Sequence, residues 1–223
     1  MEKNKIGFYN HKGGCAKTTS VINITYALQK LGKSVLVVDC DSQMNCFSFF
    51  QSGKELTRIQ QSRYEGVFIT TWDNYKETDG NMDYDYILFD LPPALTDEVK
   101  EIIKHCDIIF VPIVLGYYEI AGFSDVTDEI QKQGTKLGGV FVNRYNLAND
   151  DDKVVEELRE IWKKRLLNAL IPESKTVRES QKAEITIEEY FVKSKVPPNP
   201  SSWKIVHAFK ALANEIIERS ENQ

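Results

Sequence analysis

Six short runs rich in β-branched and aromatic residues recur along the chain: Lys5–Tyr9, Ser34–Asp39, Tyr86–Asp90, Ile108–Val114, Gly138–Asn143 and Leu166–Ile171. Most are near-continuous apolar runs rather than alternating ones, the pattern of parallel strands covered on both faces. The stretches between them, at about 18–31, 96–105, 119–133 and 152–164, carry apolar residues at three- and four-residue spacing. Strand–helix alternation of this kind predicts an α/β fold: a doubly wound, mostly parallel sheet with helices on both faces and right-handed crossovers. Ligands in such sheets bind beyond the carboxyl ends of the strands. With 223 residues, 42% of them hydrophobic, one well-buried core suffices, so a single domain over 1–223 is expected. Gln51–Asp83 is the least regular region. Ser194–Ser202, with Pro197, Pro198 and Pro200, reads as a linker before a final helix from about Ser201.

Residues 10–19 read Asn-His-Lys-Gly-Gly-Cys-Ala-Lys-Thr-Thr, in the turn between the first strand and the first helix. A glycine pair, a lysine and two hydroxyls at that place are suited to holding phosphates. Backbone N–H groups converge on the anion, and the helix N-terminus adds positive potential. Lys17 can neutralise β/γ oxygens and Thr18 can ligate Mg²⁺. The plain G-x-x-x-x-G-K-[ST] pattern fits imperfectly, since His11 and Ala16 stand at its glycine positions, while Lys12 is an additional lysine at the head of the loop.

Composition narrows the function classes. Cys15, Cys40, Cys46 and Cys106 show no C-x-x-C spacing, which suggests neither a zinc site nor a disulfide framework. Cys106 precedes an apolar strand and is expected to be buried packing rather than a cluster ligand of the kind found in nitrogenase-type iron proteins. No window approaches a membrane span and no signal-peptide pattern opens the sequence, so a soluble cytoplasmic protein is expected. Net charge is −5, made up of −7 through residue 152 and +2 from residue 153 on. A polyanion other than nucleotide would meet the C-terminal third.

The loop resembles the deviant K-G-G-x-x-K-[ST]-[ST] loop of the ParA/MinD ATPases, with Lys12, Gly13, Gly14, Lys17, Thr18 and Thr19 matching. Ala16 replaces the usual glycine; it is harmless there if φ is negative and costly if φ is positive. Asp39-Cys40-Asp41-Ser42-Gln43 resembles the family's D-x-D-P-Q segment, with Ser42 in place of proline. Taken alone, it could equally be a capped turn. Tyr86-Ile-Leu-Phe-Asp90-Leu-Pro-Pro resembles a Walker B strand followed by a second switch.

The resemblance implies a nucleotide site made by Lys12, Gly13, Gly14, Cys15, Ala16, Lys17, Thr18 and Thr19, with Thr18, Asp39 and Asp90 on Mg²⁺. It assigns catalysis to Lys12, Lys17 and Asp41, the last orienting the attacking water. Asn143 and Arg144, with the segment from Pro172, would contact the adenine of ATP or ADP. A turn-forming Asn is the competing reading for Asn143.

The stretch Ile171–Ser180 resembles the post-strand I-P-x-x-x-x-x-R segment of small partition ATPases. It implies nonspecific DNA contacts from Lys175, Arg178 and Lys182, with Lys193, Lys195, Lys204 and Lys210 as further candidates. An ordinary solvated surface is the alternative. Expected partners are a second copy with ATP, DNA of the nucleoid, and a centromere-binding ParB-like or small DNA-binding adaptor protein. The function implied is an ATP-dependent, dimerising partition ATPase. The alternatives are a nucleotide-gated protein-binding switch with negligible hydrolysis and a MinD-like membrane-positioning ATPase. The acidic end of the final helix (Glu215, Glu218, Glu221) argues for packing on the sheet rather than on anionic lipid.

Overall fold

A computed structural model describes residues 4–51, 58–78, 83–116, 123–199 and 201–222. The strands are β1 (Asn4–Phe8), β2 (Val35–Asp39), β3 (Gln60–Gln61), β4 (Val67–Thr71), β5 (Tyr86–Asp90), β6 (Ile108–Val114), β7 (Lys136–Tyr145) and β8 (Leu166–Pro172). They form one sheet in the order β3-β4-β2-β5-β1-β6-β7-β8, parallel except for the β3–β4 pair. The expected doubly wound α/β architecture is what the chain adopts. β2 and β5 are buried at every position, which is why they read as unbroken apolar runs.

The helices are α1 (Lys17–Lys30), α2 (Asn45–Phe50), α3 (Trp72–Lys76), α4 (Asp97–His105), α5 (Phe123–Lys132), α6 (Asp151–Trp162), α7 (Lys175–Lys182), α8 (Ile187–Lys193) and α9 (Lys204–Glu221). One core packs α1, α2, α8 and α9 against the sheet through Val21, Leu28, Phe50 and Phe209 among others. The opposite core packs α3, α4, α5 and α6 through Trp72, Ile103, Ile130 and Leu158. The start of the predicted 119–133 helix lies outside the described residues.

The final helix packs inward as expected. Trp203, Val206, Phe209, Leu212, Ala213 and Ile216 are all buried in the first core. Its acidic end is tied to the sheet: Glu215 accepts from the backbone N–H of Asn168 at 2.9 Å, and Glu221 accepts from the Tyr86 hydroxyl at 2.8 Å. Arg219 donates to the Gly138 carbonyl at 2.9 Å. Among the described residues, no helix is long and apolar enough to cross a membrane.

Cys106 is buried packing, as its position predicted. A Cβ placed on Gly7 of β1 would lie 2.9 Å from its sulfur and 2.3 Å from Ile109 Cδ1, so β1 needs glycine where α4 runs into β6. All four cysteines are free.

The described residues between 51 and 83 are more regular than their composition predicts. Val67–Thr71 is a full parallel partner of β2, from Val35 opposite Val67 to Asp39 opposite Thr71. The preceding turn uses Gly66 at φ 76. Residues 52–57 and 79–82 of this region are outside the described set.

Candidate nucleotide site

The site begins where β1 leaves the sheet. Tyr9 N–H still bonds the Phe110 carbonyl of β6 at 3.1 Å, and the chain then turns through Asn10–Ala16 into α1. Gly14 takes φ 78, open to glycine at little cost. Ala16 takes φ 67, ψ 34 as the residue before α1, with no side-chain cap. The costly alternative therefore holds: an L-residue here carries about 1–2 kcal/mol of backbone strain. Its carbonyl accepts the first helical bond, from Ser20 N–H at 2.9 Å.

Lys17 is only 7% exposed. Its ammonium donates to the carbonyls of Asn10 at 3.0 Å and Lys12 at 3.2 Å, with Cys15 Sγ at 3.9 Å. The loop thus wraps its own lysine, keeping a buried charge hydrogen-bonded. Cys15 Sγ donates to the Lys12 carbonyl at 3.3 Å, and burial raises its pKa, so the thiol keeps its proton. Gly13 and Gly14 are exposed at the loop crest.

Strand register brings the carboxylates together. Asp39 ends β2 directly opposite Asp90 of β5, and Asp90 lies opposite Phe8 of β1. Adjacent strands lie about 4.8 Å apart, so both acids stand beside the loop. Asp39 accepts from Phe47 N–H at 2.7 Å and Asp41 N–H at 3.0 Å. Burial raises its pKa despite those bonds. Asp41 is half-buried and accepts from Gln43 N–H at 3.0 Å.

Asp90 differs. It is 1% exposed and neither carboxylate oxygen has a hydrogen-bond partner of good geometry. Burial pushes its pKa up to about 7; the nearby Thr18 hydroxyl and Lys17 ammonium oppose the shift, while Asp39 and Asp41 add to it. A buried carboxylate left unpaired is costly, and a hard divalent cation with oxygen ligands is the group that would relieve it. Thr18 and Asp39 are the other oxygens at hand. This donor set fits Mg²⁺, which is bound through one or two carboxylates, a hydroxyl and substrate phosphates rather than by an all-protein cage. Among the described residues, no cluster of three or more His, Cys, Asp or Glu suited to a metal occurs.

Beside α1 lies a cavity of about 870 Å³, lined by Ala16, Thr19, Asn143, Arg144, Pro172 and Arg178 among others. Asn143 is 2% exposed. Its amide Nδ2 donates to the Cys15 carbonyl at 3.1 Å and to Ser20 Oγ at 3.4 Å. It therefore ties the end of β7 to the loop and to α1, which neither of the two sequence readings of this residue predicted. Arg144, at φ 57, pairs with Glu173 at 3.4 Å, and Pro172 lies opposite Tyr145 in the β7–β8 ladder.

Lys175, Arg178 and Lys182 lie on α7 and line this same cavity, so the residues expected on nucleotide and those expected on DNA share one wall. Gln181 of α7 donates to Thr19 Oγ1 at 3.0 Å. Lys210 is engaged by Glu188 at 2.9 Å, whereas Lys193, Lys195 and Lys204 are exposed. Two polar residues that sequence reading passed over matter here: Gln181 lines the cavity, and Asn10, 6% exposed, braces the loop through its side chain. An Asn two residues before a turning backbone is a recognisable Asx-turn signal; nothing in the local sequence marks Gln181.

Known proteins resemble this chain over most of its length. The chromosome partitioning protein ParA of Myxococcus xanthus strain DK1622 is 27% identical, covering 94% of this chain and 86% of its own. The solved cell division ATPase MinD of Pyrococcus furiosus superposes with a TM-score of 0.78 at 22% identity, covering 97% of this chain and 99% of that one. The septum site-determining protein MinD of Pyrococcus horikoshii OT3, complexed with Mg-ADP, gives a TM-score of 0.75 at 22% identity, with 96% of each chain covered. A model of the CobQ/CobB/MinD/ParA nucleotide binding domain matches residues 6–187. With that match over most of its length, the chain belongs to the CobQ/CobB/MinD/ParA nucleotide-binding family.

Proposed function

We propose that this protein is a partition ATPase acting as one domain over residues 1–223: it dimerises on ATP, holds DNA without reading its sequence and hydrolyses ATP slowly. The observation that carries the reading is the unpartnered, buried carboxylate of Asp90, one strand from a loop whose lysine is already desolvated. That pairing suits a metal–triphosphate better than any neutral ligand.

In this reading Gly13, Gly14, Cys15, Ala16, Lys17, Thr18 and Thr19 wrap the phosphates with backbone N–H groups at the head of α1. Lys17 trades its loop carbonyls for β/γ oxygens. Thr18, Asp39 and Asp90 hold Mg²⁺, which supplies charge neutralisation on the transferring phosphoryl group. Asp41, outside the buried pair, orients the attacking water. Asn143 fixes the loop from behind, while Arg144 and Pro172 form the wall for the base. Lys12 reaches the partner subunit's nucleotide, so that the two subunits close only when the γ-phosphate offsets the charge of the facing lysines. DNA is met through phosphate contacts by Lys175, Arg178 and Lys182, and such binding weakens steeply with salt. A ParB-like or small adaptor protein accelerates turnover on the nucleoid.

The test combines phosphate release with a mobility shift of nonspecific duplex DNA. The expected result is slow, Mg²⁺-dependent release and an ATP-dependent shift that disappears as salt rises. ATP binding with no DNA shift at low salt would refute the partition reading, and cosedimentation with anionic vesicles in its place would favour membrane positioning.

A further inference from the structure

Asn10 uses three polar groups on three parts of the molecule. Its Nδ2 donates to the Pro112 carbonyl of β6 at 2.9 Å. Its Oδ1 accepts from Lys12 N–H at 3.0 Å. Its carbonyl accepts from the Lys17 ammonium at 3.0 Å. A carboxamide of this length can donate to a strand carbonyl and accept from a backbone N–H at once. Both side-chain heteroatoms are thus engaged within the protein, and 6% of the residue's surface is exposed.

We propose that Asn10 is a positioning residue that sets where Lys12 starts and hence where its ammonium reaches. The Asx turn fixes the backbone of Lys12 against Asn10, and the Pro112 bond fixes Asn10 against β6. Lys12 is thereby referenced to the sheet rather than to the glycine pair that follows it. Lys17 is held differently, by main-chain carbonyls at Asn10 and Lys12 that no side-chain substitution removes. The two lysines of one loop are thus held by different groups: the leading one through the Asn10 side chain, the following one through main-chain carbonyls that remain when that side chain is shortened. This inference rests on the reading that Lys12 crosses to the partner's nucleotide. A misplacement of about 1 Å in such a group is enough to lower function on the order of a hundredfold.

Two assays on the full chain separate these roles. Binding of fluorescent ADP reports the subunit's own site, and light scattering with a nonhydrolysable ATP analogue reports dimerisation. For Asn10→Ala the expected result is ADP affinity within about threefold of wild type and dimerisation weakened about tenfold or more. Asn10→Ser, whose hydroxyl can keep a weaker turn to Lys12 N–H, is expected between the two. Dimerisation of Asn10→Ala at wild-type strength overturns the positioning role, and so does a tenfold loss of ADP affinity, which would mean general damage to the loop. Should Asn10→Ala show no cooperative melt, Asn10→Ser is read in both assays: weakened dimerisation with retained ADP affinity supports the role, and wild-type dimerisation overturns it. Lys12→Gln distinguishes the two layers. Its normal dimerisation would remove the crossing lysine itself, whereas its loss of dimerisation beside an unaffected Asn10→Ala removes only the role of Asn10.

Discussion

Ala16 occupies a left-handed backbone position, φ 67 and ψ 34, immediately before α1. An L-residue held there carries about 1–2 kcal/mol because Cβ crowds the following carbonyl. Ala16→Gly removes that strain. It also gives the unfolded chain more freedom, which costs about 0.4–1 kcal/mol. The midpoints of those two ranges leave a net stabilisation of about 0.5–1 kcal/mol. For a chain of this size that corresponds to a rise in Tm of about 1–4 °C. Thermal unfolding without nucleotide measures it, with Ala16→Val as the opposite control, since a β-branched residue tolerates positive φ less well than alanine. Ala16 is half-buried on the wall of the open cavity rather than in either core, so neither change repacks a core. A fall in Tm for Ala16→Gly would show that the methyl group contributes packing beyond its strain, and the argument from backbone geometry would fail.

The carboxyl of Asp90 binds its proton more tightly folded, with a pKa of about 7, than unfolded near 3.8. The native state thus holds more protons between those values, and this group's contribution to stability falls as pH rises from about 4 to 7. Asp90→Asn should therefore melt near wild type at pH 4 and above it at pH 8, by on the order of 2–4 kcal/mol, while losing stabilisation by Mg-nucleotide; a lower apo Tm at pH 8 refutes the account. Asp41→Ala should bind ATP and dimerise while phosphate release falls on the order of a hundredfold, and normal turnover would remove Asp41 from its assigned place. Phe209→Ala on α9, whose ring is buried between that helix and the sheet, should cost about 3–5 kcal/mol in chemical denaturation; a loss below about 1 kcal/mol would mean the helix is not part of the core. Arg178→Ala should weaken DNA binding equally across sequences and reduce its salt slope by about one, an expectation defeated by an unchanged slope in a salt titration.

Local pattern revealed the layered fold because covering a sheet on both faces leaves little choice of residue. Tyr86–Asp90 and Ile108–Val114 were readable to the residue for this reason. Val67–Thr71 was not, because its Phe68 and Thr71 are only half-buried and polar, glycine-containing segments flank it. The turn between β1 and α1 was readable because glycines and a lysine stand adjacent in sequence there. Its backbone angles were not: whether Ala16 is relaxed or strained depends on how the turn meets α1.

Adjacency along the chain therefore accounts for the loop, the strand ends and the acids that terminate β2 and β5. Their meeting depends on chain crossings that place β5 between β1 and β2 and bring Asp39 opposite Asp90. The same crossings turn the Asn143 amide onto the loop and bring Gln181 to Thr19, 162 residues away. Hydrogen bonds and desolvation act over a few ångströms, so the strain at Ala16, the unpaired charge of Asp90 and the threefold use of Asn10 arise from proximity that sequence spacing does not encode.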